Sequence, residues 1–355
     1  TYIRDTVSPR IVYDARRQTD IEQFYKYLID RCMTVEQFKR KVSQYASEGR
    51  RFLFMIDFEK QKPLVCLLHE AANLGIWYDV RGVSNVDKIV TGNRRVDLTA
   101  YPIDKEEFRR KFDQVVYNQD RGNSYLLNLT FRTPIDISLT IREIFAVSQA
   151  PYKLLYDENF VVFSPECFVK IIDGRIYTFP MKGTINASVD NAANVLIGNK
   201  KEEYEHNTIV DLMRNDLSMV STDVEVLKYR YIETINTHKS QILQTSSEIA
   251  GVLPTDWRAN LGEIILRLLP AGSISGAPKE KTVGIIQEVE GQPRGYYTGV
   301  FGIFDGASLD TAVMIRFIEQ SDGEMFFRSG GGITALSCAD DEYQELLEKI
   351  YVPTV

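Results

Sequence analysis

The stretch TFPMKGTINA, residues 178–187, sets one lysine, Lys182, between a run of large alternating residues and a Gly-Thr pair. The upstream YTFP alternates as a strand does, and Pro180 closes it. A lysine where a strand end meets a core is costly to bury. Lys182 is therefore either a solvated turn residue or an amine held in a pocket as a nucleophile. A second set of residues offers oxygen chemistry. Glu202 and Glu205 stand three apart in a helically periodic segment, and Glu342 and Glu345 repeat that spacing near residue 345, with Lys349 four positions on. Residues three and four apart share a helix face. Each pair reads as a solvated face or, if the two helices meet, as carboxylates gathered for a hard divalent cation. Carboxylates without nitrogen or sulfur donors suit magnesium, not zinc or copper. Spacing alone does not join residues 205 and 345.

The elements that must position these groups can be read from periodicity and punctuation. KEEFRRKFDQVVYNQDRG (105–122) is an amphipathic helix stopped at Gly122. Strands follow in YLLNLTFRT, FVVFSP, CFVKIIDG and RIYTFP, with Asp173-Gly174 as the hairpin turn between the last two. Helical periodicity returns at about 199–220, and further strands lie at EVLKYRYIET and SQILQTSSEIAGVL, before a helix near 257–269. The last part alternates YYTGVFGIFDG, DTAVMIRFIEQ and GEMFFRSGGGI, each read as one strand, with a closing helix DDEYQELLEKI. Hairpin-linked strands between separate helices predict an α+β protein with large, mainly antiparallel sheets.

Composition narrows the function classes. The 355 residues are 44% hydrophobic and carry 42 basic against 49 acidic side chains, a net charge of −7. This balance, without a Lys/Arg block, argues against nucleic-acid or lipid partners. No apolar run approaches the ~20 residues needed to cross a bilayer. Cys32, Cys66, Cys167 and Cys338 lie far apart and read as reduced, buried thiols. A cytoplasmic protein is expected.

LLPAGSISGAPKEKT (268–282), with EHNTIVDLMRNDLS, AVMIRF and SGGGI, resembles the chorismate-utilising enzymes: anthranilate, aminodeoxychorismate, isochorismate and salicylate synthases. FSPE and KGT occur in the order that family shows. The resemblance implies a large two-sheet sandwich with helices packed outside, with residues 1–100 as a poorly matched N-terminal α/β part and 101–355 as the catalytic region of one structural unit. It implies chorismate as substrate, bound through Mg²⁺. Glu205 and Glu345 match the family's principal metal ligands, and Glu202 and Glu342 their neighbours. Arg316 and Tyr297 match positions that hold the enolpyruvyl carboxylate, and Gly183 and Thr184 the pair at the ring carboxylate, which Lys349 also reaches. His238 matches a histidine near the leaving group. The run RSGGGI (328–333), with Gly331 and Gly332, is either a glycine-rich turn or an anion nest of backbone N–H groups. His206 is assigned a structural role.

Two positions discriminate among the family's reactions. Water-using members carry a lysine base on an inner strand, and the position here corresponds to Leu126, with no lysine between Lys111 and Lys153. Leucine takes no proton from water, and it also departs from the glutamine usual in ammonia-using relatives. Where anthranilate synthases resemble P-I-A-G-T, this chain reads P-M-K-G-T, similar to the P-I-K-G-T of aminodeoxychorismate synthases. That likeness implies Lys182 as the nucleophile at C2, Glu166 of FSPE as the general acid for the C4 hydroxyl, and ammonia from a separate glutamine amidotransferase subunit. The amine must be neutral to attack, so its pKa is expected below the usual ~10.4. Anthranilate formation and a noncatalytic chorismate-binding role remain alternatives.

Overall fold

The computed structural model describes residues 33–86, 96–236 and 241–354. Among these, two nine-stranded sheets form, and every strand pairing is antiparallel. One sheet runs from Met181–Asn186 through Gln241–Val252, Arg175–Thr178, Cys167–Ile172, Leu309–Val313 and Val300–Phe304 to Phe52–Ile56 and Leu64–Leu67. The other runs from Gly276–Ala277 through Leu126–Ile137, Glu324–Ile333, Phe317–Ser321, Phe160–Ser164 and Tyr152–Tyr156 to Ile76–Val80 and Val83–Ser84. Thr222–Asn236 and Leu98–Ala100 join the sheets off these paths. Both sheets thus take strands from before and after residue 100. The expected α+β sandwich is the fold.

Strand alternation builds the layers. In Phe52–Ile56, Leu53 and Met55 meet Ile76, Tyr78, Leu154 and Val162 of the facing sheet, all buried. Phe52, Phe54 and Ile56 point the other way, onto the helix Val35–Ser47 through Phe38, Val42 and Ala46. Fully burying a side chain of this size contributes about 1.5–3 kcal/mol, so both faces hold the sheet between layers. The second sheet's outer face, with Val161, Phe163 and Phe327, is covered by Ile141, Ile144 and Phe145 of the helix Ile141–Val147.

Most predicted elements form where expected. The helix Lys105–Asp120 is capped by Asp104, whose carboxylate accepts from the N–H groups of Glu106 and Glu107. Asp173 and Gly174 both have positive φ (50° and 76°), as a two-residue hairpin turn requires. Three expectations change. DTAVMIRFIEQ is not one strand: Leu309–Val313 belongs to one sheet and Phe317–Ser321 to the other, with Arg316 at φ 51° in the crossing. A continuous apolar run gives no sign of such a break. The strand read for GEMFFRSGGGI forms as Glu324–Ile333 and continues through RSGGGI, which is therefore neither turn nor nest, with Gly330, Gly331 and Gly332 opposite Thr130, Leu129 and Asn128. Lys279–Glu290, within and after the signature segment, is a helix that periodicity did not single out. Of the cysteines, Cys66 and Cys167 are buried as expected, whereas Cys338 is exposed; Cys32 lies outside the described residues. No helix among the described residues is long and apolar enough to cross a membrane.

Candidate active site

A cavity of about 730 Å³ opens between the Met181–Asn186 end of one sheet and the Leu126–Ile137 end of the other. The helices Lys200–Ser218 and Ala339–Glu348 contribute to its walls. The chain passes from sheet to sheet twice at its floor. Glu166 follows Ser164–Pro165 between Phe160–Ser164 and Cys167–Ile172, and Arg316 lies in the crossing after Val313. The crossings lie side by side: Val313 N–H donates to Glu166 O (3.2 Å), and Phe163 N–H donates to Arg316 O (3.0 Å). Crossings are free of the sheet alternation that would send alternate side chains into the core, so both side chains reach the cavity.

Lys182 owes its direction to a bulge. Met181 pairs with Ser246 and Thr184 with Gln244, so one extra residue sits on this strand, and Gly183 there has φ +85°. Thr245 Oγ1–H donates to Lys182 O and fixes the distortion. Of the two readings, a solvated turn or an amine in a pocket, the residue takes the second, on a bulged strand that lines the cavity. Its Nζ makes a 2.7 Å ion pair with Glu205. Burial pulls the Lys182 ammonium's pKa down, but Glu205, with Glu345 and Glu202, outweighs it, and the net shift is upward. This reverses the expected direction: the carboxylate in contact keeps the proton on the amine. Gly183 also admits Glu202, because a Cβ there would stand 2.9 Å from Glu202 Oε2. Gly183→Ala combines this collision with a disfavoured φ, and a loss of about 1–3 kcal/mol is expected in thermal unfolding.

The glutamate helices form as their sequence dictates. Asn199 caps Lys200–Ser218 by accepting from Glu202 N–H, and acidic Glu202 and Glu203 suit the positive helix start. In Ala339–Glu348, Leu346 is buried and Tyr343 packs edge-on against Phe108, which turns Glu342, Glu345 and the following Lys349 toward the strands. Lys349 Nζ pairs with Glu345 (2.6 Å) and donates to Gly330 O (2.8 Å). Burial lowers the Lys349 pKa against the pull of Glu345. Gly331 lies behind this helix: a Cβ there would stand 3.2 Å from Glu342 Oε2 and 3.9 Å from Glu345 Oε1. It backs the glutamates and does not line the cavity.

Lys182, Glu166, Gly183, Thr184, Tyr297, Arg316, Gly332, Lys349, Glu202, Glu205 and Glu345 all line this one cavity. Glu342 sits behind it, and His238 lies outside the described residues. His206 is buried, its Nε2 2.7 Å from Ser247 Oγ, and burial with Arg230 pushes its pKa down to about 4. That is the structural histidine expected.

The donor set can be tested against a hard cation. Four carboxylates act on one another and on Lys182 across the two helices. Glu342 Oε2 is buried and accepts no hydrogen bond from a described residue, and burial raises the pKa of that carboxyl. Gly183 and Gly331 leave the approach to Glu202 and Glu342 open. Among the described residues, however, no three His, Cys, Asp or Glu side chains stand close enough to hold an ion, and Glu205 and Glu345 each hold a lysine. The chemistry fits magnesium; the arrangement is that of carboxylates occupied by ammonium groups.

Glu166 accepts a 2.5 Å hydrogen bond from Ser273 Oγ–H. Burial raises its pKa, while Ser273, Lys349 and Arg316 pull the other way. Ser273 sits on the short helix Gly272–Ser275, which Asp216 and Lys279 clamp through a 2.9 Å ion pair. The AGSISGAPK signature therefore acts by geometry, holding a hydroxyl against Glu166. Residue-by-residue reading passed over Ser273, although it lies within that motif. It also passed over Arg328, which lines the cavity and stands at the head of RSGGGI, where the glycines took the attention.

A family model described as chorismate binding enzyme matches residues 31–354. The chain belongs to the chorismate-binding enzyme family. An uncharacterized PabA-like protein of Pasteurella multocida is 52% identical over 90% of this chain and 99% of its own length. Aminodeoxychorismate synthase component 1 of Bacillus subtilis is 32% identical over 71% of this chain, which spans 56% of that relative. The structure of anthranilate synthase component I from Streptococcus pneumoniae is similar at TM-score 0.61 and 27% identity, covering 72% of this chain and 59% of that one. The family is described by chorismate binding, and the relatives this chain resembles include both aminodeoxychorismate and anthranilate synthases.

Proposed function

We propose that the protein aminates chorismate at C4, giving 4-amino-4-deoxychorismate, as component I of an aminodeoxychorismate synthase. The observation that carries this reading is Lys182, an amine inside the cavity that also holds Glu166, with Leu126 and no lysine base on the facing strand. The enolpyruvyl carboxylate lies against Arg316 and Tyr297, and the ring carboxylate against Thr184, Gly183 and Lys349. Burial pushes the Tyr297 phenol up to about 12, so it stays a hydrogen-bond donor at working pH. Glu205 and Glu345, with Glu202 and Glu342 behind them, would hold Mg²⁺, which supplies positive charge for the substrate's carboxylate oxygens.

Lys182 first gives its proton to water, then its neutral Nζ forms a bond to C2 as the ring double bonds shift and the bond from C4 to its oxygen breaks. Glu166 gives its proton to that oxygen, which departs as water. Ammonia then bonds to C4, the double bonds shift back, and the C2–N bond to Lys182 breaks with its electron pair returning to Nζ; the new C4 ammonium gives a proton back to Glu166, which restores the acid. Ser273 donates to Oε1 of Glu166, so the carboxyl proton resides on Oε2, the oxygen free to face the ring. Ammonia comes from a separate glutamine amidotransferase subunit, and the product leads toward p-aminobenzoate and folate. The chemistry suits a cytoplasmic enzyme.

Anthranilate synthase component I activity is the alternative, favoured by the 27% identity to the Streptococcus structure. Incubation with chorismate, Mg²⁺ and ammonium salt separates the two. Formation of 4-amino-4-deoxychorismate by chromatography, with a chorismate-derived mass increment on Lys182, supports amination. Direct release of fluorescent anthranilate sinks it.

A further inference from the structure

Arg328 is among the least exposed charged groups facing the cavity, its side chain 8% exposed. It shares the strand face of Gly330 and Gly332, which also line the space. Its Nε is engaged by Glu319 Oε1 at 3.1 Å. The same oxygen takes Arg132 Nε at 2.5 Å, while the Arg132 guanidinium lies 3.4 Å from the centre of the Phe326 ring. One carboxylate thus serves two arginines, and this trio leaves one net positive charge at the cavity wall. A buried charge without full compensation calls for an anion. With Nε taken, the donors left to Arg328 are its two Nη groups, and this planar pair matches the two oxygens of a carboxylate.

The neighbours identify which carboxylate. The Arg328 guanidinium stands 5.9 Å from the centre of the Tyr297 ring, and Tyr297 is buried beside Phe317 at the base of the same cavity. Arg294, Arg328 and Arg316 all act electrostatically on the Tyr297 phenol. Arg294 is engaged by Glu290 at 2.7 Å, whereas Arg316 and Arg328 line the cavity, from the crossing after Val313 and from the Glu324–Ile333 strand.

We propose that Arg328 is a substrate-binding residue, the second arginine of a clamp in which it and Arg316 grip the enolpyruvyl carboxylate beside Tyr297. This rests on the reading that Arg316 and Tyr297 receive that group. Arg328 then sets specificity: a ligand with its side-chain carboxylate missing or neutralised leaves two cavity-lining arginines without that counter-ion.

The test is equilibrium binding of chorismate with Mg²⁺ and without ammonia, so that no amination intervenes. Wild type is compared with Arg328→Gln, Arg328→Lys and Glu319→Gln. A charged hydrogen-bonded partner removed from a closed site weakens binding by about 10–100-fold, expected for Arg328→Gln, with Arg328→Lys losing less because it keeps charge without the fork. Glu319→Gln separates binding from scaffolding, since it breaks the same ion pair yet leaves the guanidinium. It is expected to bind chorismate as wild type does or more tightly. Arg328→Gln binding within twofold of wild type overturns the proposal, as does equal weakening by Arg328→Gln and Glu319→Gln. Should Arg328→Gln fail to fold, the lysine variant decides: undiminished affinity overturns the clamp. A wild type that binds chorismate but does not aminate it defeats the proposed function and leaves the clamp standing, whereas a wild type that does not bind chorismate defeats both.

Discussion

Lys182→Ala is expected to abolish amination, by on the order of 10³-fold or more, while chorismate binding persists. A covalent nucleophile takes part in every turnover, and its removal leaves only the binding and electrostatic contribution of the cavity. The ion pair to Glu205 makes the same residue part of the scaffold, so two readouts are needed. Steady-state formation of 4-amino-4-deoxychorismate should vanish, and the mass increment on the enzyme should vanish with it. Chorismate affinity should stay within a few-fold of wild type, because Arg316, Tyr297 and the glutamate helices are untouched. Residual amination at a tenth of the wild-type rate would mean that ammonia attacks without a lysine adduct.

Glu166→Gln gives the second large effect. Loss of a positioned general acid costs about 10²–10⁴ in rate. The direction of its shift fixes the shape of the pH profile. Burial raises the Glu166 pKa, so the protonated, competent form persists to higher pH than for an ordinary carboxyl and is lost as pH rises through the folded value. The wild-type profile of kcat should therefore fall on its alkaline side with a limb that Glu166→Gln lacks. Stability moves in step. The folded protein holds this proton where the unfolded chain, near pKa 4.5, has released it, so Glu166 costs stability increasingly as pH rises between the two values. Glutamine keeps the acceptor for Ser273 and removes that penalty, so the variant should unfold at a higher temperature than wild type at pH 8 and not at pH 4. An unchanged alkaline limb in the variant would assign the acid role elsewhere.

These two experiments bear on a tension in the site. The amine must be neutral to react, yet beside Glu205 it is held protonated. Of the opposing influences, burial is the larger single one and favours the neutral amine, while three glutamates together reverse it. Whatever engages the glutamates shifts this balance toward the reactive form. Lys349, held by Glu345, differs: there burial prevails and the net shift is downward.

Local signals made much of this molecule legible. Periodicity gave the glutamate helices, and i, i+3 spacing put Glu202 with Glu205 and Glu342 with Glu345, because a helix fixes its own faces without reference to the rest of the chain. The Asp173-Gly174 turn follows from nearest neighbours for the same reason. Long-range geometry was not legible. Arg316 enters the cavity only because AVMIRF breaks between sheets, and no local rule marks a break inside an apolar run. Arg328 differs from a surface strand arginine only in what lies across from it, and Ser273 acquires meaning from Glu166, 107 positions away. The glycines of RSGGGI invited a backbone nest, yet what stands where their side chains would be is the neighbouring strand at Leu129 and Thr130 for Gly330, Glu342 for Gly331 and Leu126 for Gly332.

By itself, then, the sequence determined the class of fold, the two carboxylate faces, and the presence of a leucine at 126 and a lysine at 182. These depend on residue identity and on contacts within a few positions. Only the tertiary structure decided that the faces share one cavity, that Lys182 is bulged toward Glu205, and that a second arginine stands beside Tyr297. Those facts depend on distances between segments that lie from 23 positions apart, as Lys182 and Glu205 do, to 140 apart, as Glu205 and Glu345 do, and these distances are set by how two sheets close on each other and not by any stretch of either.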